Sequence, residues 1–357
     1  MSYSRVLVTG GAGFIGSNLA ISFKRDLEGI TVIALDNLRR RGSELALDRL
    51  SSHGIQFLHG DIRNPEDIAQ AGKFDLLIEC SAEPSVSAGY NSSPGYVVNT
   101  NLTGTTHCLE AARKHSADVI FLSTSRVYPI GPLRNLPLGV KDDRLDIVPG
   151  QSGVGWSKHG IAEDFSLDGP RSLYGATKLA SEILLAEYTH MYNVRSIVNR
   201  CGVVTGAWQM GKVDQGFVVL WAARHLYGGN LSYMGYGGHG HQVRDILHVD
   251  DLYNLLKKQL RQLDSISGKV FNVGGGFELS VSLAELTDLC ATYSGNHVEI
   301  TPNLNTHDAD IPWYITDTRA LHQSIAWQPE HSVSDIVKDI LSWLTDNRHQ
   351  LEPILGL

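Results

Sequence analysis

Short, almost wholly apolar segments recur along the first 200 residues of the chain and alternate with longer segments of helical periodicity. A short apolar run without polar alternation is typical of a parallel strand that is buried on both faces. Such runs predict strands at residues 5–9, 31–36, 55–58, 76–80, 119–123 and 195–199. The intervening segments predict helices at residues 13–24, 65–71, 99–114 and 172–192.

This alternation predicts an α/β fold of the Rossmann type, with a doubly wound parallel sheet. After residue 200 the pattern is less regular and predicts helices at residues 215–227, 249–262, 282–293 and 333–346, with one strand at 269–273. We therefore expect a dinucleotide-binding domain over residues 1–200, to which part of 240–275 returns. Residues 201–357 are expected to form mainly a smaller substrate-binding lobe. The polar stretch 131–170 predicts a long functional loop.

Composition and charge exclude several classes of protein. The chain has 357 residues, of which 42% are apolar, so it can bury a large core. Its net charge of −8, from 30 basic and 38 acidic residues, argues against nucleic-acid binding. No apolar run approaches the ~18 residues that a transmembrane helix needs, so no membrane association is expected. The start of the sequence lacks the pattern of a secretory signal peptide.

The four cysteines are scattered, and no CxxC pair occurs among them. Neither a disulfide framework nor structural zinc is therefore expected, and a cytoplasmic location is predicted. Glycine is abundant, with 36 residues. Abundant glycine indicates tight turns, or a backbone that approaches a ligand closely.

A glycine-rich turn follows the first predicted strand and opens the first predicted helix, with Gly10, Gly13 and Gly16 spaced as GxxGxxG. Such a turn lets the backbone approach a pyrophosphate, and the helix N-terminus supplies free N–H donors. Asp36 ends the second strand, where a carboxylate binds the adenosine ribose hydroxyls and repels a 2′-phosphate. NAD is therefore the predicted cofactor, with NADP an alternative because of the basic run 39–41.

Other residues are assigned to the same cofactor site. Asp61 follows the third strand and is placed to meet the adenine amino group, with N-capping of the next helix as the alternative. The further cofactor-binding candidates are Phe14, Ile15, Asn37, Ile62, Ser81 and Ala82.

Tyr174 and Lys178 form a YxxxK spacing at the start of a helix, which places them one turn apart on one face. A nearby ammonium stabilises a phenolate, so the tyrosine can accept a proton from a substrate hydroxyl while hydride leaves the same carbon. Lys178 can also hold the nicotinamide ribose. Thr124, at the end of the fifth strand, is the predicted hydrogen-bond partner of the reacting oxygen, and Ser125 is the alternative.

Together, these motifs resemble those of the extended short-chain dehydrogenase/reductases, and more narrowly the nucleotide-sugar epimerases and dehydratases. The segments that carry the resemblance are TGGAGFIGSNL, Asp36, HGDIRN, the serine and threonine before Val127 and Tyr128, YGATK, and RDILHVDD from Arg244. Within this group, residues 36–42, 213–218 and 238–245 look most like the CDP-paratose (CDP-tyvelose) 2-epimerases. A histidine, His241, stands where that subgroup suggests a lysine.

The resemblance implies an enzyme that transfers hydride from a sugar carbon to NAD and returns it to the opposite face. It favours oxidation at C2 of a CDP-linked 6-deoxyhexose, and leaves C4 oxidation or a net dehydrogenase or reductase as alternatives. Related dehydratases carry an Asp-Glu pair beside the threonine. Here Ser125 and Arg126 stand at those positions and are assigned to substrate binding, which disfavours dehydration. A non-catalytic NAD-binding regulator is a remote alternative.

Further substrate-side candidates lie at separate points of the chain. Arg244 is predicted to clamp the diphosphate, with a salt bridge to Asp245 or Asp250 as the alternative. Gln215 and Asp214 are expected to open a helix and meet the nucleotide, with N-capping by Asp214 as an equal interpretation. Glu83 is expected near a sugar hydroxyl, with a solvated loop acid as the alternative.

Several further residues have two open interpretations. Arg200 could lie near the cofactor or form a structural pair, and Cys201 could assist acid/base chemistry or fill the core. Trp313 and Tyr314 could flank the base or form a packed aromatic pair. No metal site is predicted, although His239, His241 and His248 are close in sequence. The resemblance also implies a homodimer, built from helices 99–114 and 172–192.

Overall fold

The computed structural model describes residues 3–90, 93–212 and 215–355. They form two compact units, each assembled from three chain segments. The first consists of Met1–Val127, Ser172–Arg200 and Leu252–Phe271, and the second of Tyr128–Arg171, Cys201–Asp251 and Asn272–Leu357.

The strands of the described residues, in chain order, are β1 (Arg5–Thr9), β2 (Thr31–Asp36), β3 (Gln56–His59), β4 (Leu76–Glu79), β5 (Asp118–Thr124), β6 (Leu138–Lys141), β7 (Arg144–Ile147), β8 (Trp156–Ser157), β9 (Gly160–Ile161), β10 (Ser196–Cys201), β11 (Val203–Thr205), β12 (Leu231–Met234), β13 (Val243–His248), β14 (Lys269–Val273), β15 (Ser280–Ser282), β16 (Ile300–Asn303) and β17 (Trp313–Tyr314).

The α-helices of the same residues are α1 (Phe14–Asp26), α2 (Ala46–Ser52), α3 (Pro65–Ala69), α4 (Gly95–Val98), α5 (Thr105–His115), α6 (Ile130–Arg134), α7 (Leu173–Tyr192), α8 (Phe217–Tyr227), α9 (Val249–Arg261), α10 (Leu263–Ile266), α11 (Leu283–Ser294), α12 (Arg319–Ile325), α13 (Val333–Asp346) and α14 (Arg348–Leu355). Residues Asn99–Gly104 form a π-helical turn between α4 and α5.

The first unit is built on a seven-stranded parallel sheet with the order β14-β10-β5-β4-β1-β2-β3. The strand order reverses between β1 and β4, and a doubly wound sheet binds its ligand at the carboxyl ends of the strands beside such a point. The predicted Rossmann fold is thereby confirmed. Its strands are buried as their apolar sequences require, with Leu7, Ile33 and Phe121 almost fully inaccessible in the same core cluster.

The starts of helices α7 and α5 affect the geometry of the site. The Ser172 hydroxyl caps α7 by accepting a hydrogen bond from the Gly175 N–H at 3.3 Å, so the helix starts one residue before Tyr174. The predicted helix 99–114 begins instead as the π-helical turn, and regular α-helix starts only at Thr105. A π-turn has an extra residue in its ring, and such turns occur frequently at functional sites.

The second unit contains a sheet in which β13 pairs with β11, β15 and β17. Helices α8, α11 and α13 pack on one another. The expectation of an irregular loop over 131–170 was wrong in part, because β6 and β7 form an antiparallel hairpin there. Apolar residues alternate on both sides of an Asp-Asp turn, and Asp142 adopts a positive φ of 54°, as a tight hairpin requires. Among the described residues, every helix is too short or too polar to traverse a bilayer.

Candidate active site

The glycine turn between β1 and α1 is shaped by close backbone contacts. Gly10 has a φ of +63°, and a Cβ there would lie 2.9 Å from the Cys80 carbonyl oxygen. A Cβ on Gly16 would lie 2.2 Å from the Gly10 carbonyl oxygen, so α1 can pack on this turn only if residue 16 lacks a side chain. These two glycines therefore serve the shape of the turn itself.

Gly13 is different, because space is open beside it. Among the described residues, a Cβ on Gly13 would meet only the Gly10 carbonyl oxygen, at 3.1 Å. Gly13 is the N-cap of α1. The N–H groups of Phe14, Ile15 and Gly16 lie in the first turn of that helix, where backbone donors have no acceptor within the helix. The turn therefore fits the pyrophosphate of a dinucleotide, which the positive end of the helix dipole also favours.

Asp36 ends β2 beside this turn, as predicted. Its carboxylate accepts hydrogen bonds from the N–H groups of Leu38 at 2.8 Å and Ala12 at 3.1 Å. Burial raises the pKa of Asp36 above its ordinary value, and those backbone donors oppose the shift. Each carboxylate oxygen has a second lone-pair site, so the group can still accept ribose hydroxyls.

Asp61 is tied to its neighbours in the structure. Its carboxylate pairs with Arg63 at 2.6 Å and accepts from Asn37 Nδ2 at 2.8 Å. The hydrogen bond from Arg63 lowers the pKa of Asp61 to about 2. The alternative role as a helix N-cap is not observed, because the N-cap of α3 is Asn64. The predicted adenine contact of Asp61 stays a prediction, as does the assignment of its buried neighbour Ile62.

The three predicted catalytic residues lie on two elements in contact with each other. Thr124 ends β5, whereas Tyr174 and Lys178 lie in the first turns of α7, which packs against β5 and against the turn Ser125–Val127. The Thr124 hydroxyl oxygen accepts from the Arg126 N–H at 3.2 Å, so its own proton is available for a substrate oxygen. Thr124 is buried and Tyr174 half-buried.

Lys178 has a partner that the sequence did not indicate. Its side chain is 2% exposed, and its Nζ lies 3.6 Å from Glu79 Oε2. The ammonium also lies 4.0 Å from the centroid of the Phe121 ring. Glu79 ends β4, and a charged residue that closes an otherwise apolar strand is the signal that would have singled it out.

Asn101, in the π-helical turn, is a second residue that sequence reasoning missed. Its side chain accepts from the Glu83 N–H at 2.7 Å and donates to the Glu83 carbonyl at 3.1 Å. It also donates to Thr177 Oγ1 of α7 at 3.3 Å. Asn101 thus connects α7 to the loop of Ser81, Ala82 and Glu83, and no sequence periodicity reveals such a π-turn.

Arg200 forms a buried ion pair with Glu182, 2.8 Å between the closest atoms. The structural alternative for Arg200 is therefore the one observed. Glu182 lies one turn beyond Lys178 on α7 and also accepts a hydrogen bond from the Ser123 hydroxyl, one residue before Thr124. This pair braces the helix that carries Tyr174 against the strand that carries Thr124.

The substrate-side candidates of the second unit are placed as follows. Arg244 pairs with Asp310 at 3.0 Å and donates to the Ile311 carbonyl at 2.6 Å. The structural partner is therefore Asp310 and not Asp245 or Asp250. Gln215 does not open a helix, because α8 starts at Phe217 with Gly216 as its N-cap. Val213 and Asp214 lie outside the described residues.

The three histidines that are close in sequence, His239, His241 and His248, do not form one cluster in the structure. The rings of His239 and His241 stack with centroids 5.4 Å apart, whereas His248 stacks on His331 at 4.2 Å. His248 Nε2 lies 3.3 Å from Asp339. Together with Asp250, His248 and His331 have the atom types and proximity to hold a metal ion. The absence of a metal site therefore stays a prediction.

Three more candidates are buried in the structure. Cys201 is 6% exposed at the end of β10, while Trp313 and Tyr314 are 0% and 2% exposed in β17. Tyr314 stacks on Tyr128 with ring centroids 6.3 Å apart. This favours the packing interpretation of the aromatic pair.

Comparison with known proteins decides the family. Residues 6–274 match the family model described as the NAD-dependent epimerase/dehydratase family. The chain belongs to this family. The resemblance noted in the sequence is confirmed, and NAD is the cofactor.

Two relatives of this epimerase/dehydratase show how the group divides. A CDP-paratose 2-epimerase of Salmonella typhi is 31% identical over 347 residues, which cover 95% of this chain and 98% of that protein. A dTDP-glucose 4,6-dehydratase of Streptomyces niveus is 28% identical over 359 residues, which cover 98% and 95%. Both reactions of the family are thus represented at similar identity.

Solved structures agree with the family assignment. A UDP-glucuronic acid 4-epimerase of Bacillus cereus, solved with UDP-glucuronic acid and NAD, has a TM-score of 0.77 and 25% identity, covering 96% of this chain and 99% of that one. A dTDP-glucose 4,6-dehydratase of Streptomyces venezuelae, solved with NAD, has a TM-score of 0.78 and 25% identity, with 98% and 99% covered.

Proposed function

We propose that this protein is an NAD-dependent nucleotide-sugar epimerase that acts on a CDP-linked 6-deoxyhexose and oxidises it transiently at C2. The observation that carries the choice of epimerisation is the turn after Thr124. Ser125 and Arg126 in that turn offer a hydroxyl and a guanidinium but no carboxylate. A 4,6-dehydratase needs an acid and a base at this place to eliminate water. The 31% identity to a CDP-paratose 2-epimerase supports the choice of sugar and carbon.

In this proposal Tyr174 accepts the proton of the sugar hydroxyl, and Thr124 donates a hydrogen bond to the same oxygen. Held at the glycine turn and Asp36, bound NAD would supply the acceptor and later the donor of the hydride on the carbon that bears this oxygen. Lys178 stabilises the Tyr174 phenolate and orients the nicotinamide ribose. The keto sugar must rotate within the site so that hydride returns to its other face. Tyr174 then returns the proton to the oxygen. The net reaction is an inversion with no consumption of cofactor.

Cofactor and substrate contacts follow the sequence assignments. Gly13, Phe14, Ile15 and Gly16 would hold the pyrophosphate of NAD at the start of α1, and Asp36 the adenosine ribose. On the substrate side, Glu83, Ser125 and Arg126 would contact the sugar, with Gln215 and Arg244 contacting the nucleotide. All of these NAD contacts would come from the first unit.

A homodimer and a cytoplasmic location belong to the same proposal. Exposed apolar side chains on α7 support the homodimer, since Ile183 is 59% and Met191 60% exposed. Contiguous exposed apolar side chains, unlike isolated ones, are typical of an interface. In a symmetric dimer this helix would meet its counterpart.

Nuclear magnetic resonance of the sugar ring protons tests the proposal. Purified protein, without added cofactor, is incubated in D2O with CDP-, GDP-, UDP- and dTDP-linked 6-deoxyhexoses. We expect inversion at C2 of the CDP-sugar with no deuterium at that carbon, because the abstracted hydride itself returns. Accumulation of NADH would indicate a dehydrogenase, and inversion at C4 would indicate a 4-epimerase. Either result would contradict the proposal.

A variant pair tests the active site and excludes a non-catalytic regulator. Tyr174→Phe is expected to retain NAD, released on denaturation, and to lose turnover by roughly 10²–10⁴-fold, the usual contribution of an acid/base group. Tyr192→Phe, at the exposed end of the same helix, is the matched control and should be fully active. Full activity in Tyr174→Phe would remove the basis of the assignment.

A further inference from the structure

Glu79 is a buried carboxylate that no step of the proposed reaction uses. It ends β4 and is fully inaccessible to solvent, in register with Thr9 of β1 and Phe121 of β5. Its Oε1 accepts from the Ser81 N–H at 3.0 Å and from the Thr9 hydroxyl at 3.4 Å. Oε2 makes no hydrogen bond to the described residues and faces Lys178 Nζ at 3.6 Å.

The neighbours of this pair among the described residues include a thiol and a second ion pair. A buried carboxylate and a buried ammonium are each costly alone, so each depends on the other. Cys108 of α5 faces them as a neutral thiol, because burial and the charge of Glu79 raise its pKa well above the ordinary value. Glu182, the next acid along α7, is paired with Arg200.

The position of Lys178 connects this pair to the chemistry. Lys178 lies one helical turn after Tyr174, and its positive potential is what favours the phenolate of that tyrosine. A carboxylate 3.6 Å from the ammonium cancels part of that potential and restricts where the ammonium can point. The acidity of Tyr174 then depends on the pair and not on Lys178 alone.

We propose that Glu79 is a positioning residue of the active site, which fixes the ammonium of Lys178 and balances its charge, and so sets the pH at which Tyr174 becomes a base. It rests on the proposed function, in which Tyr174 moves the substrate proton. As long as Lys178 stays protonated, removing the negative charge of Glu79 strengthens the field of Lys178 and makes Tyr174 more acidic.

The pH dependence of kcat/KM in Glu79→Gln tests this role. Gln keeps the size of the side chain and can still accept from Ser81 and Thr9. We expect the acidic limb of the profile to move to lower pH by about one unit, the size of shift that one nearby charge causes. Glu79→Asp keeps the negative charge but places it about one methylene group further from Lys178. It should move the acidic limb in the same direction by a smaller amount. It also serves if the Gln variant does not fold.

Asp118→Asn is the matched control. Asp118 is a buried acid at the amino end of β5 and pairs with Arg195 at 2.6 Å. Its substitution therefore removes an ion pair of the same sheet, but at the end of the strands opposite to Glu79. We expect lower stability but an unchanged pH limb. A limb that moves equally in this control would show that destabilisation alone explains the effect, and would overturn the role of Glu79.

A second measurement does not depend on turnover. Ultraviolet titration of Glu79→Gln, from which that of Glu79→Gln/Tyr174→Phe is subtracted, reports the ionisation of Tyr174 directly. It should fall at lower pH than the corresponding difference between wild type and Tyr174→Phe. An unshifted titration would overturn the role of Glu79 even with Tyr174 essential. An active Tyr174→Phe would instead reject the proposed function.

Discussion

Two glycines of the same turn are expected to respond oppositely to the same substitution. Gly13 adopts φ −72° and ψ 171°, which an alanine tolerates, and its Cβ would meet the Gly10 carbonyl oxygen at 3.1 Å. At Gly16 the same methyl group would lie 2.2 Å from that oxygen. Gly13→Ala should therefore spare the fold and impair NAD binding, whereas Gly16→Ala should impair the fold itself.

The magnitudes follow from these contacts. At Gly13, alanine lowers the conformational entropy of the unfolded chain and so stabilises the folded state by about 0.4–1 kcal/mol. The tight contact with the Gly10 carbonyl oxygen offsets part of this gain. At Gly16 the backbone must move apart by roughly 1 Å, and overpacking of this kind costs about 1–3 kcal/mol or more. A methyl group on Gly13 projects where a phosphate approaches the first turn of α1. We expect at least a tenfold loss of NAD affinity, or about 1.4 kcal/mol.

Thermal unfolding of the NAD-free proteins separates the two effects, and calorimetric titration with NAD measures the affinity. Gly13→Ala should unfold within a few degrees of wild type but bind NAD weakly. Gly16→Ala should unfold at a clearly lower temperature without any ligand. If Gly13→Ala bound NAD as tightly as wild type, the pyrophosphate would not lie at α1. If the two variants unfolded alike, the contact argument for Gly16 would be wrong.

Two further predictions concern buried charges. Glu182→Gln removes the negative charge of the buried Glu182–Arg200 ion pair and should lower the free energy of unfolding by about 3–5 kcal/mol in denaturant titration. Glu352→Gln removes the acid of a surface pair with Arg348 and should have no measurable effect, and equal losses of unfolding free energy in the two variants would contradict the reasoning. Burial disfavours the charged form of His248, but the carboxylates led by Asp339 outweigh it and raise the pKa of His248 above 6.5. Its stabilisation is therefore present below pH 6.5 and lost as the pH rises through the raised pKa, so unfolding free energy measured against pH should fall in that window in wild type and not in His248→Gln.

Several parts of the fold and site could be predicted because their signals are local. The apolar strands and the spacing of Gly10, Gly13 and Gly16 depend on neighbouring residues, and β1, β2 and β14 have the predicted bounds. Asp36 ends its strand as predicted. Tyr174 and Lys178 share a helix face because their spacing is one helical turn. The hairpin β6–β7 also has a local signal, the alternation of apolar residues on both sides of its turn. The polarity of the surrounding segment masked that signal.

The electrostatic surroundings of those residues required the tertiary structure. Lys178 faces Glu79, and Arg244 pairs with Asp310, 66 residues further along the chain. No periodicity relates such partners, because they are brought together only when separate strands and helices pack. The sequence by itself therefore determined the family and the fold, and it predicted the candidate catalytic residues. Which charges balance Lys178, and how Asn101 joins α7 to the loop of Glu83, was decided only by packing.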